Sequence, residues 1–159
     1  FPFVAPMLVP HGGTGSLEAG IAISGFAVGG ILYSLAVRRL VAGLGQWGMM
    51  RIGGAVAGLA YMLVATPLPW TAVAGLFVVA GFGFYMLHNT MQTQATELAP
   101  GARGSALALF ASSFFLGQGL GPILAGPISH AYGFGTLFVL SGLLTVGLGL
   151  GAAWLIKSR

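Results

Sequence analysis

The chain has 159 residues, six basic and two acidic, with a formal net charge of +4. Charged residues are only 5% and hydrophobic ones 57%, against roughly 25% charged in ordinary soluble domains. So few charges cannot cover a small domain in water, and the apolar content excludes a disordered chain, which leaves residence in a bilayer.

Other classes fall away on single residue types. There is no cysteine, so disulfides and thiolate metal sites are excluded. His11, His88 and His130 show no metal-ligand spacing and have no carboxylate near them in sequence, so no metal and no cofactor is expected. No basic cluster alternates with aromatics, so nucleic acid is not an expected partner. The chain opens inside an apolar run at Phe1 without a start Met, and it reads as a piece of a longer polypeptide.

A helix needs about 20 mostly apolar residues to cross ~30 Å of hydrocarbon. In chain order, residues 1–10 read as the end of a partial span. A polar, glycine-rich turn follows at 11–18. Complete spans are expected at 19–37, 47–65, 70–92, 104–125 and 134–156, as continuous runs too long for the alternating strands of a membrane barrel. The expected fold class is therefore all-α, a polytopic transmembrane helix bundle.

Arg38, Arg39, Arg51, Arg103, Lys157 and Arg159 all fall on one side when these spans alternate. The turns at 11–18, 66–69 and 126–133 contain no basic residue. The positive-inside rule makes the basic side, and hence the C-terminus, cytoplasmic. Glycines four apart, at 25/29, 54/58, 117/121 and 147/151, predict close helix crossings.

The spans hold no carboxylate, and no catalytic constellation appears, so an enzyme is not expected. Polar groups within a span are costly unless they face a bundle or a wet cavity. That singles out His88, Asn89, Gln92 and, further along, Gln94, with His88 and Gln92 on one helical face. Gln118 is the second candidate, mid-span among apolar residues, with an amide that needs a partner inside the bundle. Each is read either as lining a substrate path or as an interhelical hydrogen bond, and the group at 88–94 also as the polar end of its span where it leaves the membrane. Gly117, Gly121 and Pro122 predict a close, bent crossing suited to a gate or to static packing, since Pro122 removes one helical hydrogen bond. Arg38, Arg39, Glu97 and Arg103 at the basic end are candidates for a cytoplasmic latch, or simply set topology.

Three stretches carry a family resemblance: GFAVGGILYSLAVRRLVAGLG at 25–45, GFGFYMLHNTMQTQATELAPGARGSALALF at 81–110 and FFLGQGLGPILAGPI at 114–128. The second is similar to a Glu-x-x-Pro-x-x-x-Arg-Gly joint, here Glu97, Pro100, Arg103 and Gly104. The third is similar to the Gly-x-x-x-Gly-Pro motif of antiporters, here Gly117, Gly121 and Pro122. Together they resemble one six-helix half of the major facilitator superfamily transporter fold, with its first helix truncated, and most closely the sugar and drug efflux permeases. Ser34 stands where the family's loop acid would be, a degenerate form more usual in the C-terminal half. The N-terminal half is the alternative, and would put the Gly-Pro motif on the fifth helix.

The resemblance implies a multi-pass protein of a bacterial inner membrane that works by alternating access. Its implied partners are the bilayer, a small-molecule substrate, protons and the other six-helix half of the same polypeptide. Proton-coupled efflux is the expected activity, with uptake symport or a non-transporting scaffold as alternatives.

Overall fold

The structure is a computed structural model and describes residues 2–13 and 16–157, the side chain of Lys157 excepted. All of its regular elements are helical. A short helix, α1 (Val4–Leu8), runs into a single 3-10 turn, Val9–His11. Three longer runs follow, Ser16–Val64, Trp70–Glu97 and Arg103–Lys157. Each contains a segment long and apolar enough to cross a membrane.

Two of these runs are helix pairs. Ser16–Val64 breaks at Gly45 (φ 63°, ψ 176°), and Arg103–Lys157 breaks at Gly133 (φ 80°, ψ 166°). That backbone region is open essentially to glycine alone, because a Cβ would clash there. A single residue thus makes each reversal. The arms are α2 (16–44) and α3 (46–64), then α4 (Trp70–Glu97), then α5 (103–132) and α6 (134–157). The sequence leads to a polar turn across 126–133. The structure keeps 126–132 helical and turns at Gly133 alone, because one glycine in this conformation makes a longer loop unnecessary.

Packing contacts fix the directions. Gly25 lies on Ala74 and Val78, and Gly29 on Val78 and Phe82, so α2 and α4 run parallel. Gly53 faces Met86, and Gly83 faces Ala57, so α3 runs against α4. Gly54 meets Gly149, and Gly58 meets Gly142, so α6 also runs against α3. Phe84 meets Phe114 and His88 meets Phe110, so α5 runs against α4. The helices therefore alternate. Arg38, Arg39, Arg51, Arg103 and the C-terminal end of α6 share one end of the bundle. Arg159 lies outside the described residues.

α3 is the hub. Met49, Met50, Ala57, Ala60 and Val64 are all buried. Val4, Met7 and Leu8 of α1 join Ala60, Val64 and Phe138 in one cluster, so α1 caps the end of α3 away from the arginines. Membrane helices gain little from hydrophobic exclusion, and small residues let their backbones meet. Of the predicted glycine pairs, 25/29 and 54/58 lie at crossings. A Cβ at Gly117, Gly121, Gly147 or Gly151 would find no atom within 4 Å. On α6 the crossing uses Gly142 and Gly149 instead.

Candidate functional site

Tyr85, His88, Asn89 and Gln92 are spaced 0, 3, 4 and 7 along α4, so they form one stripe on its surface. All four are half-buried, because the stripe sits between α2 and α5 and neither helix covers it fully. The residues of α4 to either side, Met86, Leu87 and Thr90, are buried.

His88 turns toward α5. Its ring lies 5.2 Å from that of Phe84 and nearly parallel to it (13°). It lies 5.2 Å from Phe110 and 4.6 Å from Phe114. Aromatic pairs at such separations add about 0.5–1.5 kcal/mol each beyond area burial. Phe84 and Phe114 are themselves 6.1 Å apart. Three phenylalanines thus hold the imidazole in place through its faces, while its nitrogens lie in the ring plane and remain the groups able to hydrogen-bond.

Asn89 is one residue on, about 100° round the helix, and turns toward α2. Its side chain reaches the hydroxyl of buried Tyr33. Tyr85 packs its ring on Gly30 and lies 6.0 Å from Phe26. A side chain at position 30 would displace that ring, which is the local reason for glycine there. The stripe is therefore anchored on α2 by Tyr33 and Gly30, and on α5 by Phe110 and Phe114.

Toward the basic end, the hydroxyls of Thr90 and Thr93 donate to the carbonyls of Met86 (2.7 Å) and Asn89 (2.9 Å), one turn back. Such back-bonding satisfies hydroxyls inside a bilayer and tends to bend a helix. Gln94, also buried, donates from Nε2 to Oε2 of Glu97 at 2.6 Å. Glu97 is exposed, as are Arg38, Arg39 and Arg103. The carboxylate's recorded partner is thus an amide on its own helix.

Gln118 does not join the stripe. It is exposed, not bonded inside the bundle as its mid-span position suggests. Its place on α5 explains this. Phe110 and Phe114 make the contact with α4, and Gln118 continues the same side one turn beyond, where α5 stands off. Nothing lies within 4 Å of a Cβ at Gly117, Gly119 or Gly121. Pro122 and Pro127 lie inside α5, and its one departure from helical φ/ψ in the whole run is at Gly133. No broken turn marks Pro122. Its missing N–H still leaves the Gln118 carbonyl without its helical donor, so side-chain amide and freed carbonyl sit together on the open face of α5.

Sequence reasoning missed two features. Tyr33 as the partner of Asn89 required knowing that α2 and α4 run parallel. The clip at the opposite end, where His11 donates from Nδ1 to the Leu68 carbonyl at 2.6 Å, joins residues 57 apart. The polarity of His11 in a turn was the only hint of it.

The sequence matches the Major Facilitator Superfamily over residues 1–159. It is 31% identical over 100 residues to an uncharacterized MFS-type transporter of Pseudomonas aeruginosa, covering 62% of this chain and 25% of that protein. It is 33% identical over 88 residues to uncharacterized MFS-type transporters of Burkholderia mallei and Burkholderia pseudomallei, covering 55% of this chain and 21% of each relative. The aligned stretch is thus at most a quarter of the length of these relatives. No solved structure matches. With a family match along its whole length, on an all-helical membrane bundle, the chain belongs to the Major Facilitator Superfamily.

Proposed function

We propose that this chain forms one half, the C-terminal one, of a secondary active transporter for small molecules, and that the transporter is a proton-coupled exporter of drugs or sugars. The observation that carries the reading is the half-buried stripe Tyr85–His88–Asn89–Gln92, positioned from two sides and left open along its length. Polar groups held in this way inside a span are costly unless they meet water, a substrate or another helix. Family membership supports transport. The degenerate loop at Ser34 to Arg39 supports the C-terminal half.

In this reading two six-helix halves rock about a site near the bilayer midplane. The aromatic walls of α4 and α5 supply apolar contact, Asn89 and Gln92 supply hydrogen bonds, and Gln118 lines the gap between α5 and the facing half. His88 is the side chain of the stripe whose ordinary titration range lies nearest physiological pH. Arg38, Arg39, Glu97 and Arg103 close the cytoplasmic end in one of the two states. The basic end faces the cytoplasm of a bacterial inner membrane.

The test uses the full-length polypeptide in sealed vesicles, with a panel of sugars and lipophilic cations, and with the pH gradient intact or collapsed. Gradient-dependent export of one class is expected, reduced at least tenfold by His88→Ala in protein that still folds. Uptake driven by the gradient reverses the proposed direction. Folded protein with no gradient-dependent flux of any of these substrates refutes proton-coupled export of drugs or sugars.

A further inference from the structure

We infer that, in the state in which Arg38 and Arg39 do not close the cytoplasmic end, the α2–α3 hairpin carries a binding site for the headgroup of an anionic phospholipid, formed by Arg38, Arg39 and Arg51 beside Trp47. The turn at Gly45 is a single residue, so positions equally far before and after it lie at equal depth. Arg39 and Arg51 are each six residues from Gly45, about 9 Å of helical rise, and Arg38 is one residue further. Val37 and Leu40 of α2 pack in one cluster with Met49 of α3, so the two arms are in contact at this level. All three arginines are exposed. The same level carries exposed apolar groups: Leu35 is 79% exposed, one turn before Arg38 and Arg39, and Trp47 is 45% exposed, one turn before Arg51. Tryptophan beside guanidinium is the composition of a headgroup-level belt.

Charge balance argues for an anion from outside this chain. A guanidinium stays ionised at any physiological pH. The sequence offers two acidic side chains, Glu18 and Glu97. Glu18 lies on α2 itself, twenty residues and about 30 Å of rise before Arg38. Glu97 accepts its hydrogen bond from Gln94. Guanidinium forks suit phosphate oxygens in paired hydrogen bonds, and basic sites between membrane helices at the cytoplasmic surface bind such headgroups. A phosphodiester at this depth also places its acyl chains along Leu35 and the exposed face of α2, which a free phosphate could not use.

The test is lipid retention by the full-length protein. It is equilibrated in nanodiscs of phosphatidylcholine containing one part in five of phosphatidylglycerol, released from them into the gas phase, and the lipids that stay bound are counted. The wild type is expected to keep phosphatidylglycerol well above its share of the bilayer. Arg38→Gln with Arg39→Gln and Arg51→Gln should cut that retention at least fivefold, the worth of one basic residue at an anionic surface, and Arg103→Gln should leave it unchanged. Removing three positive charges can also disturb insertion, so the triple lysine variant, which keeps the charge, is measured beside it. It should still insert and should lose part of the retention, because lysine lacks the paired geometry. Bound lipid in the bulk ratio for the wild type overturns the site. So does equal loss from Arg103→Gln, which would mean a diffuse basic surface. Pairing of these arginines with an acid of the other half would show as no enrichment. The readout is independent of flux, so failure of the transport reading leaves it standing.

Discussion

Replacing Gly58 by alanine puts one methyl group into the α3–α6 crossing. Its Cβ would stand 2.5 Å from the Gly142 carbonyl oxygen and 2.5 Å from Val146 Cγ2. Favourable non-bonded separations are ~3.5–4.0 Å. The valine methyl can rotate away, but the carbonyl is helix backbone and cannot. α6 must retreat by roughly 1 Å, which also opens the neighbouring contact, where a Cβ at Gly54 would stand 2.9 Å from the Gly149 Cα. Overpacking of this kind costs about 1–3 kcal/mol. Alanine also gains ~0.8–1.0 kcal/mol over glycine in helix propensity. At Gly147, on the same α6, a Cβ meets nothing within 4 Å, so Gly147→Ala keeps the gain without the clash. Propensity cancels between the two variants, and they should differ by about 1–3 kcal/mol, with Gly58→Ala the less stable. Denaturation midpoints of both in one detergent measure it. Equal midpoints, or the reverse order, refute the close backbone crossing as the reason for glycine at 58.

Three further outcomes follow from other sites. Gly45→Ala forces a Cβ into a backbone region that only glycine occupies freely, so it should destabilise by about 1–3 kcal/mol; an unchanged melting temperature would mean that the α2–α3 turn does not have this conformation. His11→Ala removes the hydrogen bond to Leu68 and should cost about 0.5–1.5 kcal/mol, with faster amide exchange at 64–70; exchange confined to wild-type rates there would show that the clip carries no load. His88→Phe keeps an aromatic ring among Phe84, Phe110 and Phe114 but removes both nitrogens, so stability should change by under about 1 kcal/mol while vesicle flux falls at least tenfold. Flux at wild-type level in that variant would assign His88 to packing alone.

The helical, membrane-spanning character was legible because composition and run length decide it. The alternation of Arg38, Arg39 and Arg51 with bare opposite turns also gave the end at which basic residues gather, and the structure gathers the described ones there. The turns were not legible in the same way. A glycine in a span reads equally as a crossing, a flexible residue or a reversal, and nothing in the local sequence singles out Gly45 from Gly43 or Gly133 from Gly135. The four-apart rule was informative only where a helix faces a neighbour. It picked out 25/29 and 54/58 but placed the α6 contact at 147/151, whereas Gly142 and Gly149 make it. Two glycines seven apart lie on one face as surely as two four apart, and the spacing rule does not weigh them.

The candidate site shows the same division. Spacing alone put His88 and Gln92 on one face of α4, because that is a property of one helix. Which neighbour each side chain meets is a property of the bundle. Parallel packing of α2 on α4 brings Tyr33 to Asn89, and antiparallel packing of α5 brings Phe110 and Phe114 to His88. Gln118 separates the two kinds of inference most clearly. Its polarity in an apolar run argued for a partner within the bundle, yet α5 touches α4 only through the turns before it and stands off at Gly117 to Gly121. A bilayer does not tolerate a bare amide beside a freed carbonyl without cost. The open face of α5 therefore needs water or a further surface against it, and in the two-half transporter proposed above both would arrive together as the cleft between the halves opens and closes. Under that proposal the exposed Gln118 and the half-buried stripe on α4 would line one path.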